Sequence, residues 1–119
     1  MANGSVVYIV TDHERRVRFR NMAEKSGLTV FSAADGIEGM SLLQKLKSPA
    51  FLLLSSEPMP LMSYDEFLIY KGRHPELAKI PVILISTKPI LPLPNGVAYE
   101  IVAPISQVDL NGLIKKYCL

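Results

Sequence analysis

Cysteine is nearly absent: the 119 residues hold one, Cys118. That excludes an internal disulfide framework and any cysteine-rich zinc site. An excess of one charge is lacking as well. The 13 Lys and Arg stand against 11 Asp and Glu, a net charge of +2, too little to argue for nucleic acid or a membrane surface as partner. No apolar run approaches the roughly 20 residues of a membrane-spanning helix. The opening MANGS lacks the charged-then-apolar order of a secretory leader. His13 and His74 lie far apart with no neighbouring ligand set, which speaks against a metal site. Linkers, repeats and low-complexity segments are missing too. These absences lead to the expectation of a single cytoplasmic domain over residues 1–119, in a reducing compartment. What the chain does have is 49% hydrophobic residues, 20% charged residues and nine prolines, the composition of a globular domain with an unusual amount of proline.

Short apolar runs alternate with amphipathic stretches. Val6 to Val10 is continuous and β-branched, as a strand buried on both faces should be. Asp12 follows as a candidate N-cap, and Arg15 to Lys25 reads as a helix with Phe19, Met22 and Ala23 inward. Gly27 supplies its stop. Leu28 to Ser32 reads as a second strand, and Asp35 to Lys47 as a second helix with Ile37, Met40, Leu43 and Leu46 on its apolar stripe and Leu42 widening it. Phe51 to Leu54 is a third strand. Pro58 and Pro60 keep the following segment out of a helix interior. Ser63 and Glu66 form a capping-box pattern for a third helix with Tyr64, Phe67 and Leu68 inward, ended by Pro75. Val82 to Ile85, then Glu100 to Val102, complete five strands. Val108 to Tyr117 is a last helix with Leu110, Leu113, Ile114 and Tyr117 on one side.

This alternation predicts an α/β, flavodoxin-like three-layer sandwich: a parallel five-stranded sheet in the order 2-1-3-4-5 with helices on both faces. Functional groups in such sheets sit beyond the carboxyl ends of the strands. The residues there are Thr11 and Asp12, Ser55 to Glu57, Ser86 and Thr87, and Ala103 with Pro104. The link between the fourth and fifth strands departs from the pattern. It contains Pro89, Pro92 and Pro94, which exclude a regular helix there. The fourth helix of the alternation is therefore expected to be replaced by a Pro-rich loop. Its apolar residues Ile90, Leu91 and Leu93 either pack on the sheet or form an exposed partner site.

Four segments, in order, carry a family resemblance: SAADGIEGMSLL, LLLSSEPMPLMSYDEFL, HPELAKIPVILIS and VAPI. Over nearly its whole length the chain resembles the receiver domain of two-component response regulators. In that family two acidic residues after the first strand bind Mg²⁺, and an aspartate after the third accepts a phosphoryl group from a histidine kinase. A hydroxyl after the fourth strand and a lysine after the fifth contact the phosphoryl oxygens. Carried across by motif, the phospho-acceptor position is Ser56, four residues before Pro60, and the lysine position is Ala103. The acidic pair falls on Thr11 and Asp12 if the first strand sets the register; counting back from Gly27 shifts it by one. Ser86 keeps the hydroxyl. Glu100 stands where an aromatic is expected, beside Tyr99.

These replacements bear directly on the chemistry. A serine hydroxyl without a base is a poor nucleophile and cannot form an acyl phosphate. Asp12 alone is a meagre carboxylate set for Mg²⁺, and alanine removes the phosphoryl-pairing cation. The resemblance therefore implies a degenerate pseudo-receiver with no enzymatic activity, cofactor or metal. It would act without phosphorylation as a module binding a protein partner: a kinase, a regulator or itself as a homodimer. The candidate surface is Ile90, Leu91, Leu93 and Tyr99. Two other readings stay open: an atypical phosphoryl-binding site of Ser56, Ser86 and Asp12, and a small-ligand sensor using the vacated pocket. Glu57, next to Ser56, reads as a solvated loop residue more readily than as a phosphate mimic. Arg15, Arg16, Arg18 and Arg20 form a charge run that is either a solvated face or an acidic-partner patch. Cys118, next to the end of the sequence, is expected to be exposed.

Overall fold

A computed structural model describes residues 4–46 and 48–118. Its elements are β1 (Gly4–Ile9), α1 (His13–Lys25), β2 (Leu28–Ala33), α2 (Gly36–Lys45), β3 (Phe51–Ser55), α3 (Tyr64–Gly72), α4 (Pro75–Ala78), β4 (Val82–Ser86), β5 (Tyr99–Val102) and α5 (Gln107–Tyr117). The five strands are parallel, in the order β2-β1-β3-β4-β5, as the alternation of runs predicts.

The core is double because side chains alternate along each strand. Val6, Tyr8, Phe51, Leu53, Ile83 and Ile85 face one layer, where Phe19 and Ala23 of α1 and Leu110 and Leu113 of α5 cover them. Val7, Ile9, Leu52, Leu54, Val82 and Leu84 face the other, beneath Met40 and Leu43 of α2, Phe67 of α3 and Leu77 of α4. Every residue of β3 and β4 is buried. Burying a side chain of this size contributes about 1.5–3 kcal/mol, so these two central strands hold the two layers together.

Helix ends follow the local signals. Asp12 caps α1, accepting hydrogen bonds from the Glu14 and Arg15 amides at 2.9 and 3.3 Å. Gly27 leaves α1 at φ +88°, a left-handed conformation that favours glycine. Ser63 and Glu66 form the expected reciprocal capping box on α3, and Ser106 with Asp109 forms a second one on α5.

The differences from expectation are local. The second helix ends at Lys45, and the expected end at Lys47 lies outside the described residues. Ile37 is 48% exposed rather than inward, because Gly39, Met40 and Leu43 supply the face pressed to the sheet. Pro75 does not end α3, which stops at Gly72; it opens the one-turn α4, where its missing amide costs nothing. The fifth helix begins at Gln107, one residue earlier than the apolar pattern suggests, and Val108 is exposed.

Residues 87–98, between β4 and β5, contain no helix. The five helices of the described residues lie elsewhere, so the expected replacement of a crossover helix by the Pro-rich loop is what the fold contains. Ile90 and Val97 plug that loop onto the α2–α3 layer. Leu91 and Leu93 stay exposed, so the loop's apolar residues divide between packing and exposure. Cys118 is half-buried against the α1–α5 layer rather than exposed, and burial pushes its thiol pKa up.

Candidate functional site

The carboxyl ends of β1, β3 and β4 bring Thr11, Asp12, Ser56, Glu57 and Ser86 to one end of the sheet. Thr11 Oγ1 donates to the Ala34 carbonyl at 2.9 Å, tying the turn after β1 to the turn after β2. Arg16 Nη1 donates to the Val10 and Thr11 carbonyls at 2.6 and 2.7 Å, fixing the same turn from below. The backbone at this end of the sheet is therefore held by side chains as well as by the ladder.

The cation at the site comes from α1. The Arg15 guanidinium is paired with the Glu57 carboxylate, and its Nε lies 3.9 Å from Asp12 Oδ2. Asp12 Oδ1 meanwhile accepts the helix-capping hydrogen bonds. The two carboxylates at this end thus share one internal positive charge. The Glu57 amide donates to the buried Ser55 Oγ at 3.1 Å, which sets the turn that aims the Glu57 side chain at α1. Ser56 is half-buried, and its amide extends the β3–β4 ladder to the Ile85 carbonyl at 3.0 Å.

A second polar cluster links β4, β5 and the Pro-rich loop. Ser86 is fully buried, and its hydroxyl donates to Glu100 Oε2 at 2.8 Å. The same oxygen accepts the Ile90 amide at 2.9 Å. One carboxylate oxygen therefore satisfies a buried hydroxyl and anchors the start of the loop. Ala103 sits just past β5, its amide donating to the Ser86 carbonyl at 2.7 Å, and it places no polar side chain in the site. Tyr99 points away toward α5: its hydroxyl accepts a hydrogen bond from Lys116 Nζ, which lies 4.5 Å from the ring centroid.

Several of these roles are hidden in the sequence. Arg15 belongs to a charge run that reads as a surface, yet Arg15 pairs with Glu57, Arg16 holds the β1 turn and Arg20 donates to Ser32 Oγ at 3.1 Å. That engages three members of the charge run within the fold. Glu57, partly exposed in its loop, is also the partner of Arg15. Among the described residues, no group of three or more His, Cys, Asp or Glu side chains is placed to hold a metal ion.

The Mg²⁺ of receiver chemistry does not fit this arrangement. A hard divalent cation needs free oxygen ligands. Here one Asp12 oxygen caps α1, the other faces Arg15, and Glu57 is paired with the same guanidinium. Two grooves of appreciable size open elsewhere: one between α3 and residues 94–96, one between β5 and α5. Thr11, Ser56 and Ala103 line neither.

No protein-family model matches the chain, and no curated protein matches it by sequence. Solved structures do match. Chemotaxis response regulator CheY4 of Vibrio cholerae superposes with a TM-score of 0.83 at 18% identity, over 97% of this chain and 98% of that one. The receiver domain of sensor histidine kinase PA1611 from Pseudomonas aeruginosa, solved with a magnesium ion in its active-site cleft, gives 0.87 at 13% identity over 98% of both chains. A response regulator receiver domain protein from Clostridium thermocellum gives 0.79 at 19% identity, covering 97% and 94%. The chain has the fold of response-regulator receiver domains over nearly its whole length.

Proposed function

We propose that this chain is a phosphorylation-independent, non-catalytic receiver-like domain that acts by binding a protein partner in signalling. The pairing of Arg15 with both Asp12 and Glu57 carries this reading. A phosphorylatable site needs uncompensated carboxylates for the metal, an acceptor carboxylate and a cation for the product. Here the carboxylates are compensated from within. The acceptor position is a serine, whose hydroxyl cannot form an acyl phosphate, and the lysine position is an alanine. The Ser86 hydroxyl is already donated to Glu100 rather than free for an incoming oxygen.

Regulation in this reading passes through surfaces instead of a covalent switch. Partners of the appropriate kind are a kinase, a larger regulator or a second copy of the chain, met in the cytoplasm; nucleic acid and membrane have no part in it. The test is intact-mass measurement after incubation with a small-molecule phosphodonor and Mg²⁺. The expected spectrum is unchanged from the untreated protein. A stoichiometric phosphoryl adduct, lost on Ser56→Ala, would overturn the reading in favour of an atypical phosphoryl site.

A further inference from the structure

Among the described residues one charged side chain is buried, Lys71. It follows Phe67 by four residues, so the two share the inward stripe of α3, and both are buried there. Such a position ordinarily takes an apolar side chain, and lysine is almost never fully buried without a partner. Here no opposite charge meets it. Among the described residues Lys71 enters no ion pair, and its Nζ donates to the Ala78 carbonyl. The charged neighbours on every side face water. Arg73, Glu76 and Lys79 around α4 are exposed, as are Glu38 and Lys45 of α2, the other helix packed on α3. Asp65 and Glu66 are exposed at the far end of α3 itself. His74 is half-buried, with its Nδ1 3.0 Å from the Tyr70 carbonyl. The strands beneath this layer present Leu52, Leu54, Val82 and Leu84 to it. Burial alone therefore moves the Lys71 pKa, down to about 8.

The element seated against the amine is slight. The α4 helix is one turn, joined to α3 by Arg73 and His74 alone, and no side chain caps its N-terminus. A single turn has no helical stability of its own. It keeps its place through Leu77, buried in the α2–α3 layer, and through the Ala78 carbonyl on Lys71. These two contacts differ in sign. Seating Leu77 removes apolar surface from water, which favours the docked turn. Seating the turn against Lys71 also strips water from an ammonium that gains no counter-charge in return. Removing the proton removes that second, opposing contribution and leaves the first.

We propose that the α3–α4 corner is a pH-sensitive switch, in which protonation of Lys71 favours release of α4 and deprotonation favours its seating. Release uncovers Leu77 and Ile80, both buried while α4 is seated, so the proton changes the apolar surface that the domain presents. The sign follows from linkage. In the released state the amine is in water with the ordinary lysine pKa of 10.5, and in the seated state it is lowered. Release therefore takes up a proton between the two values. It becomes harder as pH rises through that window, and it is indifferent to pH below it. The switch goes beyond the interaction-module reading, because it names a stimulus that needs neither phosphate nor metal.

Residue-resolved hydrogen exchange of the full chain tests it. The Ala78 and Ile80 amides donate to the His74 and Leu77 carbonyls when α4 is in place, so their exchange reports its release. Corrected for intrinsic exchange, their opening constants are expected to agree at pH 6 and pH 7 and to be about tenfold smaller at pH 9. About 1 M urea is expected to leave them unchanged, because a local opening exposes little surface. Lys71→Met is expected to abolish the pH dependence and to lower the opening constant at pH 7. Lys71→Gln, neutral but polar, is expected to be equally indifferent to pH, which separates the lost charge from any repacking around methionine. Opening constants that match at pH 7 and pH 9 would overturn the proposal. So would a pH dependence that survives in both variants, or a urea response equal to that of global unfolding. None of those results alters the phosphodonor assay, so this inference can fail while the broader reading stands.

Discussion

Lys71 is 4% exposed, and among the described residues its one hydrogen bond is a long one, 3.5 Å, to the Ala78 carbonyl at the end of α4. Burial without a counter-charge lowers its pKa from 10.5 to about 8. Below that lowered value both folded and unfolded chains are protonated, and the folded protein carries the full cost of the buried charge. Between the two values the unfolded chain holds a proton that the folded chain has released, so stability rises with pH through that window. Lys71→Met is expected to stabilise the protein by about 2 kcal/mol at neutral pH, with the gain shrinking as the pH is raised toward about 10. Urea melts of both proteins across that range measure it. Gly39 offers a second residue-scale case. Alanine in a helix interior ordinarily gains about 1 kcal/mol over glycine. Here the added Cβ would overlap Ile9 Cδ1 and fall 2.7 Å from Ile9 Cγ1, and Ile9 is fully buried. Gly39→Ala is expected to destabilise by about 1–3 kcal/mol in the same melts. Neither effect is legible in the sequence. Gly39 is an ordinary residue until β1 is placed beneath α2. Likewise the Arg15–Glu57 pair joins positions 42 apart, and only the parallel sheet brings them together. Asp12 and Ser63, by contrast, act within a few residues of themselves, and their capping roles can be read directly.

At the scale of elements, the strands are legible for the same reason that they are stable. Runs such as Phe51–Leu54 and Val82–Ile85 are apolar on both faces, which only the centre of a covered parallel sheet accommodates. Proline placement shows equally well that 87–98 is not a helix. What local pattern could not apportion was the loop's apolar content, because Ile90 and Leu91 are alike in kind and the division is made by Glu100 on another strand. That carboxylate acts as a latch from β5 to both Ser86 and the loop. In Glu100→Ala the Ile90 amide and the buried Ser86 hydroxyl lose their acceptor, a cost of about 1–3 kcal/mol. The expected result is faster hydrogen exchange over residues 87–98, with β1 and β3 amides changed only as far as global stability falls. Glu100→Gln keeps an oxygen acceptor and is expected to lie between the two. Equal loss of protection throughout the sheet would mean that the loop is no separate unit and that Glu100 acts on the whole fold.

The whole molecule has the receiver fold, and a guanidinium of its own lies among the carboxylates at the carboxyl end of the sheet. The sheet, both helical layers and the turns around Thr11, Asp12, Ser56 and Ser86 are in place. The site's positive charge, however, is covalently part of α1 instead of being borrowed from solution. This has a thermodynamic consequence. A ligand that binds only the folded state stabilises it by RT ln(1 + [L]/Kd), about 2.7 kcal/mol at one hundred times Kd. For a domain of this size that would raise Tm by about 10 °C. A site whose carboxylates are already paired gains nothing from Mg²⁺, so millimolar Mg²⁺ is expected to shift Tm by less than about 1 °C relative to matched ionic strength. Arg15→Ala makes the experiment discriminating. It releases Asp12 Oδ2 and Glu57 together, leaving two uncompensated carboxylates at the same end of the sheet. That variant is expected to melt lower than the parent and to recover part of the loss on adding Mg²⁺ but not on adding a monovalent salt of equal ionic strength. A large Mg²⁺ response in the parent protein would show that the guanidinium yields to the metal and that the site is not closed. No response in either protein would show that Asp12 and Glu57 are too few or too far apart to form a cation site, and that Arg15 fills no metal's place.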